Sequence, residues 1–126
     1  MDERLRQTLL YDFYGELLNE HQKNVYSAAI FDDMSYSELS NEFGCSRQAA
    51  FDLIRRIDKK LENFEARLGL LARFMDAREK MDSLSESILS VKQGISESDL
   101  SKEDKKKIDK ELSGILDITR EVFDEF

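Results

Sequence analysis

Apolar side chains recur along this chain at three- and four-residue intervals, the spacing that lines one face of an α-helix. Leu5, Leu9, Phe13 and Leu17 step by four, and Leu10, Tyr14 and Leu18 broaden the stripe. This predicts a first helix from about Asp2 to Leu18. Asn19 then precedes Gln22 by three, the reciprocal pattern in which side chain and backbone cap each other at a helix start. A second helix should follow, with Gln22, Val25, Tyr26, Ala29 and Ile30 inward, and should stop near Asp32 and Asp33.

Ser35 precedes Glu38 by three and repeats the capping pattern. The helix it opens is short, with Leu39 and Phe43 inward and Gly44 where a left-handed terminator is wanted. Ser46 offers a further N-cap. From Arg47 no breaker occurs until Gly69, and the apolar pattern resumes through Met75. Advancing 100° per residue from Arg47 places Ala50, Leu53, Ile54, Ile57, Leu61, Phe64 and Leu68 within about 240° to 340°. The opposite face carries Gln48, Asp52, Arg55, Lys59 and Glu62. Arg47 and Phe51 lie on one shoulder, Arg56 and Lys60 on the other. Asp52 and Arg56 are spaced to pair at i,i+4.

A short helix, a glycine turn and a capped second helix fit the helix-turn-helix plan, and equally an ordinary helical hairpin. Further on, Leu84, Ile88, Val91 and Ile95 form one seam, and Ile108, Leu112, Ile115 and Val122 another, across a polar link from Ser96 to Ser101. These stretches fit a hairpin, a cover for the N-terminal bundle, or pairing with a second chain. The division expected is a helix-turn-helix domain over 1–75 and a helical extension over 76–126, used for dimerisation or docking. The fold class is all-α, with no strand-built wing, and the absence of Pro agrees with it.

Charge changes the picture. The 126 residues carry a net −8, which argues against a general nucleic-acid coat. Residues 45–80 are nevertheless net +3, between flanks of −6 and −5. The positive block coincides with the helix after Ser46. Its candidate binding residues are Arg47, Gln48, Phe51, Arg55, Arg56, Lys59 and Lys60. The Lys105–Lys107 run sits among acids and reads as a solvated face.

Little in the sequence suggests other chemistry. One His and one Cys give no metal set, so no metal or cofactor is expected. His21 reads as a surface or rim residue, and Cys45 as a small buried apolar one. Asp32 and Asp33 read as turn residues. No phosphate-cradling glycine loop is present, and an enzyme is not expected. No apolar run is long enough for a membrane span or signal core, which makes the cytoplasm the expected location.

The segment DDMSYSELSNEFGCSRQAAFDLIRRIDKKL resembles the helix-turn-helix of sigma-factor region four, and more closely the YlxM family of small bacterial helix-turn-helix proteins. The resemblance rests on Tyr11, Tyr14, Leu17 and Leu18; on Gln22 and Tyr26; on Asp32, Asp33 and Ser35; and on Ser46, Arg47, Gln48 and Ala49, with Asp52 and Arg55 in keeping. It covers roughly residues 5 to 70, and beyond about 75 no match is claimed. Cys45 and Ala50 stand where a larger aliphatic is expected, and Asn19 where Thr is common. The resemblance implies a regulator of the bacterial signal recognition particle, with the particle's RNA, its GTPase Ffh, or both as partners. The other functional reading is a sequence-specific DNA-binding transcription regulator that dimerises through the C-terminal stretches. A bundle used only for protein contacts stands beside both.

Overall fold

In the computed structural model, which describes residues 1–124, every regular element is helical. The order is α1 (Glu3–Tyr14), a 3-10 turn (Gly15–Leu17), α2 (Glu20–Ile30), α3 (Tyr36–Phe43), α4 (Arg47–Leu68), α5 (Leu70–Ser96) and α6 (Lys102–Asp124). Two compact units result, one from Met1 to Arg73 and one from Phe74 onward.

The first unit packs α1, α2 and α3 around α4. Its core holds Leu10, Tyr14, Leu18, Val25, Tyr26, Leu39, Ala50, Ile54, Ile57, Leu61 and Leu71. The capping boxes at Asn19 and Ser35 are both formed. Removing such a cap typically costs about 1 kcal/mol. Asp32–Asp33 is a turn, and Asp33 takes a left-handed φ of 52° that a short polar side chain tolerates. Arg4 reaches across to Asp33 Oδ1 at 3.3 Å and to the carbonyl of Ile30 at 2.9 Å, joining α1 to the end of α2.

Three expectations need correction here. The first helix ends at Tyr14, and Gly15 to Leu18 turn the chain instead of continuing it. Leu5 and Leu17 are exposed, whereas Leu10, Tyr14 and Leu18 are buried. The broadening residues are therefore the true core stripe. Two apolar stripes run side by side on α1, and only the position of α4 decides between them. Leu68, placed inward by its angle, is half exposed because Gly69 ends α4 in a left-handed conformation one residue later.

The start of α5 is capped from outside its own sequence. Glu65 accepts the amide N–H of Leu71 at 2.9 Å and of Ala72 at 3.0 Å. The Tyr14 hydroxyl accepts that of Leu70 at 3.1 Å. Three orphan donors of a helix N-terminus are thereby satisfied.

The second unit is an antiparallel helical hairpin, one of the three arrangements open from the sequence. Lys92 Nζ lies 2.9 Å from Ser113 Oγ and 3.4 Å from Asp109, and the Phe74 and Phe123 rings meet edge to face at 5.6 Å. Lys105 donates to the carbonyl of Ser96 at 3.0 Å and so caps the end of α5, while Lys106 and Lys107 are exposed. Among the described residues of this unit, Ile88, Leu116 and Thr119 are buried. The seam proposed through Ile115 and Val122 is corrected: both are exposed, and the inward line of α6 runs through Leu112, Leu116, Thr119 and Phe123. No helix among the described residues is long and apolar enough to cross a membrane.

Candidate nucleic-acid interface

The frame of the site is local chemistry. Ser35 accepts from the amide of Glu38, and Glu38 returns a bond to the amide of Ser35, which also holds the Glu38 carboxyl below its usual range. Gly44 adopts φ 67°, where a Cβ would cost roughly 1–2 kcal/mol. The amide of Cys45 then closes onto the Ser40 carbonyl at 3.1 Å. Ser46 Oγ accepts from the amide of Ala49 at 3.0 Å and starts α4. Ala50, Ile54, Ile57 and Leu61 anchor α4 inward, which fixes the direction of its outer face.

The seven candidate residues do not all share that face. Arg47 and Gln48 are exposed on the first turn, with Arg55 and Lys59 exposed below them. Phe51 is half-buried. The Tyr36 ring meets it edge-on at 5.2 Å, and the Arg55 guanidinium lies 5.5 Å over its centroid. The stack Tyr36–Phe51–Arg55 therefore bridges the two helices of the motif and holds Arg55 in place. Lys60 leans away to α2, its Nζ 3.5 Å from Gln22 Oε1. Arg56, although exposed, also borders an apolar pocket of about 300 Å³ with His21, Leu39, Phe43 and Cys45. The strip proper is thus Arg47, Gln48, Phe51, Arg55 and Lys59.

Its electrostatics differ from the sequence projection in two ways. Asp52 does not pair with Arg56; it accepts from Gln48 Nε2 at 3.0 Å. Glu62, projected onto the outer face, is taken by α1: Arg6 donates through Nε at 2.6 Å and Nη2 at 2.8 Å. This fork-on-carboxylate contact holds the Glu62 carboxyl below its usual range and raises Arg6. Asp58 is likewise turned inward, accepting from the Tyr26 hydroxyl at 2.5 Å and from Gln7 Nε2 at 3.0 Å. Burial first, and then Asp58, push the Tyr26 hydroxyl far above its usual value. Between residues 47 and 60, Asp52 is the one carboxylate left on the outer face.

The sequence does not mark Tyr36 or Asp58 as parts of the site. Tyr36 lies fifteen positions before Phe51 on another helix, and nothing local marks the pair. Arg6, Gln7, Arg55, Arg56 and Lys59 border an open groove of about 610 Å³ between α1 and α4. His21 sits at the rim, its ring edge-on to Phe43 at 6.1 Å. Cys45, expected to be buried, is exposed, because the turn after Gly44 carries it outward. Among the described residues no group of three His, Cys, Asp or Glu side chains is placed to hold a metal.

A family model described as "Putative helix-turn-helix protein, YlxM / p13 like" matches residues 1–108, well past the residue-75 limit of the resemblance seen in the sequence. The chain is 41% identical over 90 residues to a UPF0122 protein of Shouchella clausii, covering 71% of this chain and 83% of that one. A UPF0122 protein of Halalkalibacterium halodurans is 41% identical over 88 residues, or 70% and 81% of the two chains. One from Listeria monocytogenes is 42% identical over 92 residues, or 73% and 83%.

Proposed function

This chain belongs to the UPF0122 family of YlxM/p13-like helix-turn-helix proteins, and on that premise we propose that it is an accessory protein of the bacterial signal recognition particle. Its outer α4 strip docks on the phosphate backbone of the particle's RNA, alone or together with the GTPase Ffh. The observation that supports this most is the state of the strip. Its hydrogen-bonding and apolar tips are already engaged, Gln48 by Asp52 and Phe51 by Tyr36 and Arg55. The exposed cations Arg47, Arg55 and Lys59 are what remains for a ligand. Cations on a rigid helix suit shape and backbone recognition, which is how double-stranded RNA is read, since its major groove is too deep and narrow for side chains. Residues 1–44, net −6, disfavour phosphate binding on the rest of the first unit.

The test is a binding titration against signal recognition particle RNA, with and without Ffh, and against random duplex DNA of equal length. The RNA should bind more tightly than the DNA. Combining Arg47→Ala, Arg55→Ala and Lys59→Ala should weaken RNA binding and flatten its salt dependence, by about one unit of slope per lost phosphate contact. Unchanged RNA binding in that variant sinks the proposal.

One observation favours a second reading, a sequence-specific DNA-binding regulator. Arg47 and Gln48 are exposed on the first turn of the motif's second helix, the position from which such helices reach base edges. That reading requires a discrete site to emerge when random DNA is selected against the chain at low salt.

A further inference from the structure

The hairpin of α5 and α6 has a second apolar face that its own described residues leave exposed. On α6, Leu112, Leu116, Thr119 and Phe123 point into the hairpin, while Ile115, Ile118 and Val122 lie roughly a quarter-turn away. Those three are exposed, Ile118 by 63%. On α5, Leu84 and Val91 are exposed and sit at a similar rotation, of the same sign, from the inward line through Met81, Ile88 and Lys92. In an antiparallel pair, equal rotations about each N-to-C axis point to the same side. Leu84, Val91, Ile115, Ile118 and Val122 therefore form one continuous face.

We infer that this face docks a second copy of the chain, with α6 antiparallel to α6 of the second copy. Three observations select that occupant. The first is charge. Residues 102–110 hold five Lys and three acids, whereas residues 111–124 hold one Arg and four acids. A helix positive at one end and negative at the other is complementary to itself only when reversed. Centring the two-fold axis near Gly114 and Ile115 brings Lys107 and Lys110 beside Glu121 of the second copy, and the reverse pairing follows by symmetry. The second is room at the axis: a Cβ added at Gly114 would meet nothing within 4 Å, so the surface there is open to a close helix crossing. The third is area. A two-helix face about 35 Å long and 20 Å wide offers on the order of 700 Å². A stable interface uses roughly 800 Å² per partner.

Leu84 and Val91 lie within the residues that the family model matches, and Ile115, Ile118 and Val122 lie after them. The inference is also independent of what α4 binds.

Sedimentation equilibrium of the full chain provides the test. The wild type should run at twice the chain mass at micromolar concentration, and Ile118→Asp as a monomer with unchanged helicity by circular dichroism. Glu121→Lys should weaken the dimer on the order of tenfold at low salt. Adding Lys107→Glu and Lys110→Glu to that variant should restore it. A wild-type monomer at high concentration overturns the inference, as does a dimer indifferent to Ile118→Asp. A dimer indifferent to Glu121→Lys overturns the antiparallel arrangement.

Discussion

Glu65 accepts the Tyr14 hydroxyl at 2.6 Å, and the same carboxylate takes two amides at the start of α5. One side chain on α4 thus ties the end of α1 to the first turn of α5. A hydrogen bond to a charged partner contributes about 1.5–3 kcal/mol when partly buried. Tyr14→Phe keeps the buried ring but loses this bond and the acceptor for Leu70. It should destabilise the first unit by about that amount. Urea unfolding followed by circular dichroism measures it, and a loss well under 1 kcal/mol would mean water replaces the hydroxyl.

The same carboxylate sets a pH dependence. Desolvation pushes Glu65 up, but the Tyr14 hydroxyl and the amides of Leu71 and Ala72 outweigh it, so its pKa lies below the ordinary 4.5. Glu62 also lies below 4.5, held there chiefly by Arg6. A depressed folded value means stability that is complete above pH 4.5 and lost as pH falls through the lower folded values. The Arg6–Glu62 pair is nearly half exposed, so its share is roughly 0.2–1 kcal/mol. Acid titration of the urea midpoint should show a fall below about pH 4.5, and the Glu62→Gln, Glu65→Gln double variant should flatten it.

Gly15 is the other backbone constraint on α1. A Cβ there would come within 3.1 Å of the Tyr11 ring. Tyr11 cannot easily give way: Ser27 Oγ donates to its hydroxyl at 2.9 Å, and its ring packs on Tyr26 and Phe31. Gly15→Ala should therefore destabilise by about 1 kcal/mol, although helix propensity alone predicts a gain. A rise in the thermal midpoint would show that the ring yields.

These particulars mark what the sequence discloses and what it does not. The caps at Asn19, Ser35, Gly44 and Ser46 were legible because each is settled within four residues. The inward face of α4 was legible because one long helix carries one clean apolar stripe. The α1 stripe is ambiguous in the sequence because Leu5, Leu9, Phe13 and Leu17 satisfy the same period as the buried Leu10, Tyr14 and Leu18. The site was half legible: its cations follow from position, but its acids do not. Glu62 is paired by Arg6, and Asp58 is hydrogen-bonded by Tyr26 and Gln7, partners that lie 56, 32 and 51 residues away. No local pattern connects them.

Asp52 offers the sharpest functional test, because the two readings of the strip give it opposite signs. It is the one carboxylate left among Arg47, Arg55 and Lys59, and Gln48 holds it at 3.0 Å. If the strip meets phosphates, Asp52 repels the ligand. Asp52→Asn keeps an oxygen for Gln48 Nε2 while removing the charge. RNA affinity should then rise roughly two- to tenfold at low salt, with the gain shrinking as salt screens it. If instead the Gln48–Asp52 pair reads base edges, the same substitution should lower affinity for the preferred sequence and relax specificity there. Side-by-side titration of wild type and Asp52→Asn on signal recognition particle RNA and on any selected DNA site separates the two by direction alone. A drop in RNA affinity would remove the phosphate-docking mechanism.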